Sequence, residues 1–315
     1  MVPPFTRGVP GTGRIGAGRN TLATMQQGSA GFHPSPVTAV RGLIHATHPL
    51  PSIAVTAVAL ILGLAVGLGS VELWLVAAMV LTGQLSVGWS NDWIDAARDT
   101  AVERRDKPIV TGMVSRRAVG VAALAAVVVS IGLGFALAPA VGVANVISVA
   151  SAWAYNGPLK STLWSWLPFA VSFGILPVLV TFALPGSPWP MWWVVAAGAL
   201  LGVAAHFTNV LPDLEGDRRT GVSGLPHRLG ARASGLIPFI MLAVVSVLVG
   251  IGQVGTAPRP GTAVGVVLGL AIAVTGIVLA RTRRPTRSLM RLIMLGALVN
   301  VATLAATGMA LVVGA

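Results

Sequence analysis

The amino-acid sequence predicts an all-α, polytopic membrane protein with about nine transmembrane helices. Hydrophobic residues make up 55% of the 315 positions and charged residues only 10%, whereas soluble domains carry about 25% charged residues. Nine apolar stretches approach the length of about 20 residues that a spanning helix needs. Lysine and arginine are concentrated in alternate connections between these stretches. These observations predict a chain built mainly of membrane spans.

The predicted spans follow one another with short connections. In chain order they lie near 43–68, 71–93, 117–138, 139–155, 163–185, 189–212, 233–255, 261–280 and 289–314. Residues 1–39 are rich in Gly, Pro, Ser and Arg and contain no acid. We therefore expect a disordered cytoplasmic tail that contacts anionic lipid, followed by one membrane domain over residues 40–315.

The positive-inside rule orients the predicted spans. With a cytoplasmic amino terminus, every lysine and arginine except Arg259 lies on the cytoplasmic side. We therefore expect a multi-pass inner-membrane protein with its amino terminus in the cytoplasm. Topology and lipid contact explain the net charge of +12, so no nucleic-acid partner is expected. The absence of cysteine excludes disulfides, thiolate metal sites and cysteine nucleophiles.

Acidic residues are rare and unevenly placed. Eight of the nine carboxylates fall in two clusters, at the predicted cytoplasmic ends of spans 2 and 6, and Glu72 is the exception. The first cluster contains NDWIDAARD, residues 91–99, and the second contains NVLPDLEGD, residues 209–217. A solvated loop mixed with arginines would explain either cluster by itself. The spacing that the two clusters share favours a site instead.

Both clusters place an asparagine and two aspartates four residues apart. The triplets are Asn91, Asp95 and Asp99 and, 118 residues later, Asn209, Asp213 and Asp217. Steps of four residues keep side chains on one face of a helix, so each triplet predicts a polar stripe that continues a span beyond the membrane. Carboxylate and amide oxygens suit Mg²⁺, which also shares substrate phosphate oxygens. Two facing stripes predict a site for Mg²⁺ and a diphosphate, and the recurrence suggests two pseudo-repeated halves.

Basic residues accompany each acidic cluster. They are Arg104, Arg105 and Lys107 after the first cluster and Arg218, Arg219 and Arg228 after the second. Carboxylates that hold metal beside cations that hold phosphate are what a diphosphate site requires. Ordinary positive-inside anchoring remains an explanation for any single arginine. A transporter would more typically bury its charges near the bilayer midplane.

These motifs resemble those of a known family. NDWIDAARD followed by RDKPIVTG resembles the N-D-x-x-D-x-x-x-D…R-P-x-x-x-G signature of UbiA-type membrane prenyltransferases. DLEGDRRTGVSGLPHRLG resembles the second D-x-x-x-D block of that family, and AYNGPLK resembles its tyrosine–lysine element. The resemblance covers roughly residues 41–314. The chain departs from the family at His48 and Lys107, each of which precedes a proline where the family typically has arginine.

The resemblance implies helices around a central cavity and Mg²⁺-dependent transfer of a prenyl group from an isoprenyl diphosphate to an acceptor. The implied metal ligands are Asn91, Asp95, Asp99, Asp213 and Asp217. The expected substrate-binding residues are Asn91, Asp92, Arg104, Lys107, Asn209 and Arg218. Lys160 and Tyr155 join the four aspartates as the expected catalytic residues. Tyr155 remains equally compatible with a place in the interfacial aromatic belt.

The acceptor is not encoded in any motif that we recognise. A small aromatic acceptor such as 4-hydroxybenzoate, as in quinone biosynthesis, is the leading expectation, and a porphyrin or a glycerol-phosphate lipid is an alternative within the family. Cyclisation of the prenyl cation and attack of a polyprenyl phosphate on a phosphoribosyl diphosphate are further enzymatic alternatives. A divalent-cation or lipid transporter is the alternative from another class, because a duplicated motif would also suit a repeat-built carrier.

Overall fold

The computed structural model of the chain describes residues 35–212, 214–219, 221–253, 260–282 and 287–314. The regular structure of these residues is helical, apart from one isolated β-bridge between Pro190 and Val312. The α-helices are α1 Pro36–Ala46, α2 Pro49–Ala65, α3 Ser70–Ala101, α4 Arg116–Leu137, α5 Pro139–Asn156, α6 Leu167–Phe182, α7 Trp192–Val210, α8 Leu214–Arg219, α9 Leu225–Gly252, α10 Pro260–Thr282 and α11 Arg287–Ala306. Two 3₁₀ turns cover Leu159–Ser161 and Gly308–Leu311.

Among the described residues, six helices are long and apolar enough to cross a membrane: α3, α4, α7, α9, α10 and α11. The pair α1 and α2, bent by 60°, adds a seventh span if the two count as one. Each of the nine predicted spans overlaps a helix, but α6 has only 16 residues and α5 does not reach the same apolarity. The multi-pass membrane architecture is confirmed, whereas the number of nine spans is not.

The break between α1 and α2 has a local cause. His48 precedes Pro49, which disfavours a helical conformation at His48 and so ends α1; the backbone of His48 is left-handed, with φ of 51°. The break packs closely on α3, where a Cβ on Gly88 would lie 2.4 Å from the Thr47 carbonyl oxygen. The entry to the bundle is thereby fixed against the helix that carries the first acidic cluster.

The start of α1 revises the predicted tail. Ser35 caps α1 by accepting a hydrogen bond from the Thr38 N–H, and Pro36 occupies the first turn, where a missing N–H costs nothing. Residues 36–39, which we expected to be disordered, are therefore helical. The remainder of the expected tail, residues 1–34, lies outside the described residues.

The apolar core lies between the helices rather than at their outer faces. One buried cluster joins side chains of α2, α3, α5, α6, α7 and α9, and a second joins α9, α10 and α11. Large apolar side chains such as Leu64, Val128 and Val267 remain exposed on the outside, as expected for helices that face lipid. In this packing, the polar ends of α3, α5, α7 and α9 lie in one region.

The two acidic triplets differ in their backbone. α3 continues without a break to Ala101, so Asn91, Asp95 and Asp99 share one helix as predicted. The second triplet does not share one helix, because α7 ends at Val210 and α8 begins at Leu214. Pro212 lies between them; it lacks an N–H and disfavours helix in the preceding residue. The prediction of a second continuous stripe is therefore wrong.

Candidate functional site

The first acidic stripe is buried on α3. Asp95 and Asp99 are only 6% and 3% exposed. Asn91 donates a hydrogen bond to Asp95 Oδ2 at 3.3 Å, one helical turn away. Arg98 places Nη2 2.8 Å from Asp95 Oδ2 and 3.6 Å from Asp99 Oδ1. Two carboxylates and an amide therefore face one side of the helix, and the two carboxylates share one guanidinium.

Lys160 reaches this stripe from the turn between α5 and α6. Its ammonium donates a short hydrogen bond to Asp95 Oδ1, so the predicted proximity of Lys160 to the acidic cluster is observed. Burial among neighbouring side chains lowers the pKa of Lys160, because a low-dielectric surrounding disfavours the charged form. A cation held against a buried carboxylate is placed to take a phosphate oxygen in exchange.

The end of α5 is tied to the same part of α3. Asn156 donates to the Val87 carbonyl and to Ser90 Oγ, both at 2.8 Å. Its side-chain oxygen accepts a hydrogen bond from Asn91 at 3.4 Å. Asn156 is 3% exposed, and buried amides of this kind fix the register of the elements that they join. The turn that carries Lys160 is thus anchored immediately before it begins.

Asp92 lies off the stripe, as its spacing predicts, and has its own partners. Lys107 Nζ lies 2.6 Å from Asp92 Oδ1, and His48 Nε2 lies 3.3 Å from the same oxygen. Asp92 is 2% exposed. The two positions at which the chain departs from the family signature therefore meet at one buried carboxylate, and Lys107 neutralises that carboxylate in this arrangement.

Arg104 occupies the outer part of the loop after α3. Its guanidinium makes two hydrogen bonds to Asp106, at 2.9 and 2.8 Å, which lower the pKa of Asp106 to about 2. Both side chains are exposed. The side chain of Arg104 is more exposed than those of Lys107 and Lys160.

The second cluster is described in part. Asp217 on α8 accepts a hydrogen bond from His227 Nε2 on α9, at 3.2 Å. Asn209, near the end of α7, is exposed. Asp213 and the side chain of Arg218 lie outside the described residues, so their roles remain predictions.

Tyr155 lies near both acidic clusters. Its ring meets Phe169 edge-on at 4.9 Å and His206 at 5.7 Å between centroids. Its hydroxyl lies within electrostatic range of both Asp95 and Asp217. The only tyrosine of the chain is therefore packed against an aromatic wall and lies near one acidic group of each cluster.

A cavity extends into the bundle from this region. α2, α3, α5 and α6 line it, with side chains that include Val55, Val87, Ala152 and Phe173. Val87 lies one helical turn before Asn91, so the cavity adjoins the acidic stripe. This mostly apolar cavity has a volume of about 40 Å³ and lies beside the charged end of α3.

The donor atoms at this site fit an oxygen-preferring cation. Within the described ranges, no three histidine or acidic side chains are grouped closely enough to hold a metal ion. Asn91, Asp95 and Asp99 nevertheless offer only oxygen donors from one buried face, and the sulfur and nitrogen ligands that favour other metals are missing from that face. Asp213, the further carboxylate expected from sequence, lies outside these ranges.

Three residues of the site escaped sequence reasoning. Arg98 bridges both aspartates, Asn156 anchors α5, and His227 holds Asp217. Arg98 stands three residues after Asp95, a spacing that places it on the same helical face, so this contact was detectable. The contacts of Asn156 and His227 depend on tertiary packing, and nothing in the local sequence indicates them.

Comparisons with known proteins identify the family of the chain. A model of the UbiA prenyltransferase family matches residues 50–298. The bacteriochlorophyll synthase 33 kDa chain of Cereibacter sphaeroides is 32% identical over 231 residues, which cover 69% of this chain and 76% of that protein. The digeranylgeranylglyceryl phosphate synthase of Methanoregula boonei is 29% identical over 214 residues, covering 65% of this chain and 74% of that protein.

A solved structure shares the fold. The structure of a UbiA homologue from Archaeoglobus fulgidus bound to DMAPP and Mg²⁺ matches with a TM-score of 0.67, over 83% of this chain and 96% of that chain. The sequence identity of the pair is 14%, so the match establishes a common architecture and nothing finer.

Proposed function

The chain belongs to the UbiA prenyltransferase family, and on that premise we propose that it transfers a prenyl group from an isoprenyl diphosphate to an acceptor, with Mg²⁺ as cofactor. The observation that carries the proposal is the stripe of Asn91 and the buried Asp95 and Asp99, with Lys160 against it. That arrangement combines metal-type carboxylates with a phosphate-type cation, one helical turn from the residue Val87 that lines a cavity.

We assign the metal to Asn91, Asp95 and Asp99 together with Asp213 and Asp217. Bound Mg²⁺ would supply charge neutralisation for the diphosphate as it departs. Lys160 exchanges Asp95 for a phosphate oxygen, and Arg98 bridges the two α3 carboxylates and partly neutralises them. Arg104, Lys107, Asn209 and Arg218 are proposed to contact the donor further out.

The reaction breaks the bond between the allylic carbon and the diphosphate oxygen, and the bonding electron pair leaves with the diphosphate. An electron pair of the acceptor then forms the new bond to the allylic carbon, and the acceptor loses a proton to solvent. The Tyr155 ring faces this region beside Phe169, where an aromatic face stabilises a developing cation. The apolar lining of the cavity keeps water from capturing the cation first.

For the acceptor, the relatives favour a revision of the sequence expectation. The two relatives described above carry the names bacteriochlorophyll synthase and digeranylgeranylglyceryl phosphate synthase, and neither name refers to quinone synthesis. We therefore place a chlorophyll-type tetrapyrrole first, a glycerol-phosphate lipid second and 4-hydroxybenzoate third.

A competition assay tests this order. The purified protein, in liposomes with geranylgeranyl diphosphate and Mg²⁺, is given the three acceptors together, and the prenylated products are identified by mass. We expect the tetrapyrrole product to exceed the others. A product from 4-hydroxybenzoate alone would reinstate the quinone assignment, and a cyclised hydrocarbon formed without acceptor would replace transfer by cyclisation.

We further propose nine spans with the amino terminus and the acidic clusters on the cytoplasmic side of the inner membrane. The distribution of lysine and arginine supports this orientation. α6, at about 24 Å for 16 residues, falls short of the bilayer core by a few ångströms, a mismatch that membranes accommodate at modest cost.

A further inference from the structure

Two segments far apart in sequence pack backbone against backbone beside the site. The turn 157–166 between α5 and α6 meets the start of α9 at Gly224. A Cβ on Gly224 would lie 2.5 Å from the Lys160 carbonyl oxygen and 2.8 Å from Ser165 Oγ. Real side chains do not approach a carbonyl so closely, so this contact requires glycine.

A buried hydrogen-bonded chain reinforces the contact. Ser165, which is fully buried, accepts the Leu225 N–H on Oγ at 3.0 Å. This N–H belongs to the first turn of α9, where no side chain of the helix caps it and a partner is therefore needed. The same hydroxyl lies 3.1 Å from His206 Nε2 on α7. Three elements thus converge on one serine oxygen.

Each of the joined segments carries a side chain to a different acidic cluster. Lys160, in the turn, pairs with Asp95 on α3. His227, three residues after Gly224, pairs with Asp217 on α8. A displacement of one segment relative to the other would therefore change the separation of the two clusters.

We propose that Gly224, Ser165 and His206 form a positioning junction, which holds the two acidic clusters at the separation at which both can bind the same metal-bound diphosphate. The inference rests on the proposed function. None of the three residues needs to touch the donor; they act through Lys160 and His227. His206 also contacts the ring of Tyr155, so the junction supports Tyr155 as well.

The decisive variant is Gly224→Ala, with Gly132→Ala as the matched control, because a Cβ at Gly132 meets open space. Binding of the non-reactive analogue geranyl thiolodiphosphate to each protein is measured as the concentration of Mg²⁺ is raised. Because a misplacement of about 1 Å can cost roughly 10²-fold in a preorganised site, we expect Gly224→Ala to need at least about tenfold more Mg²⁺ for half-maximal binding. We expect the control to match the parent.

A second readout needs no ligand. The chain contains no cysteine, so cysteines introduced at the exposed positions Leu163 and Leu229 can be spin-labelled selectively. We expect Gly224→Ala to shift or broaden the distance distribution between the labels. An unchanged distribution and an unchanged Mg²⁺ requirement in folded protein would overturn the junction. Failure of the parent to bind the analogue would instead overturn the proposed function.

His206 provides a rescue test. His206→Leu removes the partner of Ser165, whereas His206→Gln keeps a polar group able to reach its hydroxyl. We expect His206→Leu to raise the Mg²⁺ concentration needed for half-maximal binding of the analogue. We expect His206→Gln to need a concentration close to that of the parent. Equal behaviour of the two variants would show that only the volume of His206 matters and would contradict its positioning role.

Discussion

Asp95→Asn is expected to lower the rate of diphosphate release by roughly 10³-fold. The Asp95 carboxylate accepts hydrogen bonds from Asn91, Arg98 and Lys160, so it links the metal-type stripe to both cations. An amide of the same shape removes the charge that would hold Mg²⁺ and leaves the cations without their shared anion. Loss of one preorganised charge-stabilising group commonly costs 10²–10³ in rate, and the metal adds to that loss.

Glu72→Gln is the control for Asp95→Asn. It makes the same carboxylate-to-amide change on the same helix, in the first turn of α3, far from the stripe. We expect parental rates from it. A folded Asp95→Asn protein that kept more than a tenth of the parental rate would remove Asp95 from the catalytic site.

Lys160→Met is expected to lower the rate by about 10²-fold and to weaken donor binding. The ammonium of Lys160 is the cation that reaches Asp95 from outside α3, and charge-assisted bonds to phosphate are among the strong hydrogen bonds. Methionine keeps the length of the side chain and loses the charge. The rate and the donor KM are measured together in one steady-state assay.

The control separates a site lysine from ordinary positive-inside charge. Arg117 is an exposed cation in the first turn of α4, and Arg117→Met removes one positive charge from the same membrane face. We expect Arg117→Met to behave as the parent. If the two variants lost activity equally, Lys160 would be a topological anchor.

The pH dependence offers a further readout on Lys160. Because burial lowers the pKa of Lys160, its charge is lost at a lower pH than that of an ordinary lysine. Activity should therefore fall as the pH rises through this lowered pKa and be retained below it. Lys160→Arg, which keeps its proton, should extend activity to higher pH even if its maximal rate is reduced.

The sequence predicts this site unevenly, for physical reasons. The spacing of Asn91, Asp95 and Asp99 is sufficient for the first stripe, because a helix converts steps of four residues into one face. The same spacing fails for the second triplet, since Pro212 separates α7 from α8. A periodic pattern thus predicts a shared face only where the backbone remains helical.

Tertiary contacts were beyond the reach of the sequence. His48 and Lys107 meet at Asp92 although 44 and 15 residues separate them from it. In the sequence, only the family resemblance indicated that Lys160 belongs to the site. Its ion pair with Asp95 became evident from the structure. The role of a single arginine was ambiguous in the sequence, because membrane topology and phosphate binding both favour arginine. The geometry distinguishes Arg98, which lies on the stripe, from Arg104, which pairs with Asp106.

The measurement that tests the central claim most directly is pyrophosphate release by the purified protein from geranyl, farnesyl and geranylgeranyl diphosphates, with Mg²⁺ and after its removal by EDTA. Asp217→Asn is assayed in parallel with the parent, because a site built from both clusters requires both. We predict release by the parent that stops with EDTA, returns with added Mg²⁺ and is lost in Asp217→Asn. Release that persists in EDTA and in Asp217→Asn, or no release from any donor in the presence of the candidate acceptors, would contradict a two-cluster, metal-dependent diphosphate site.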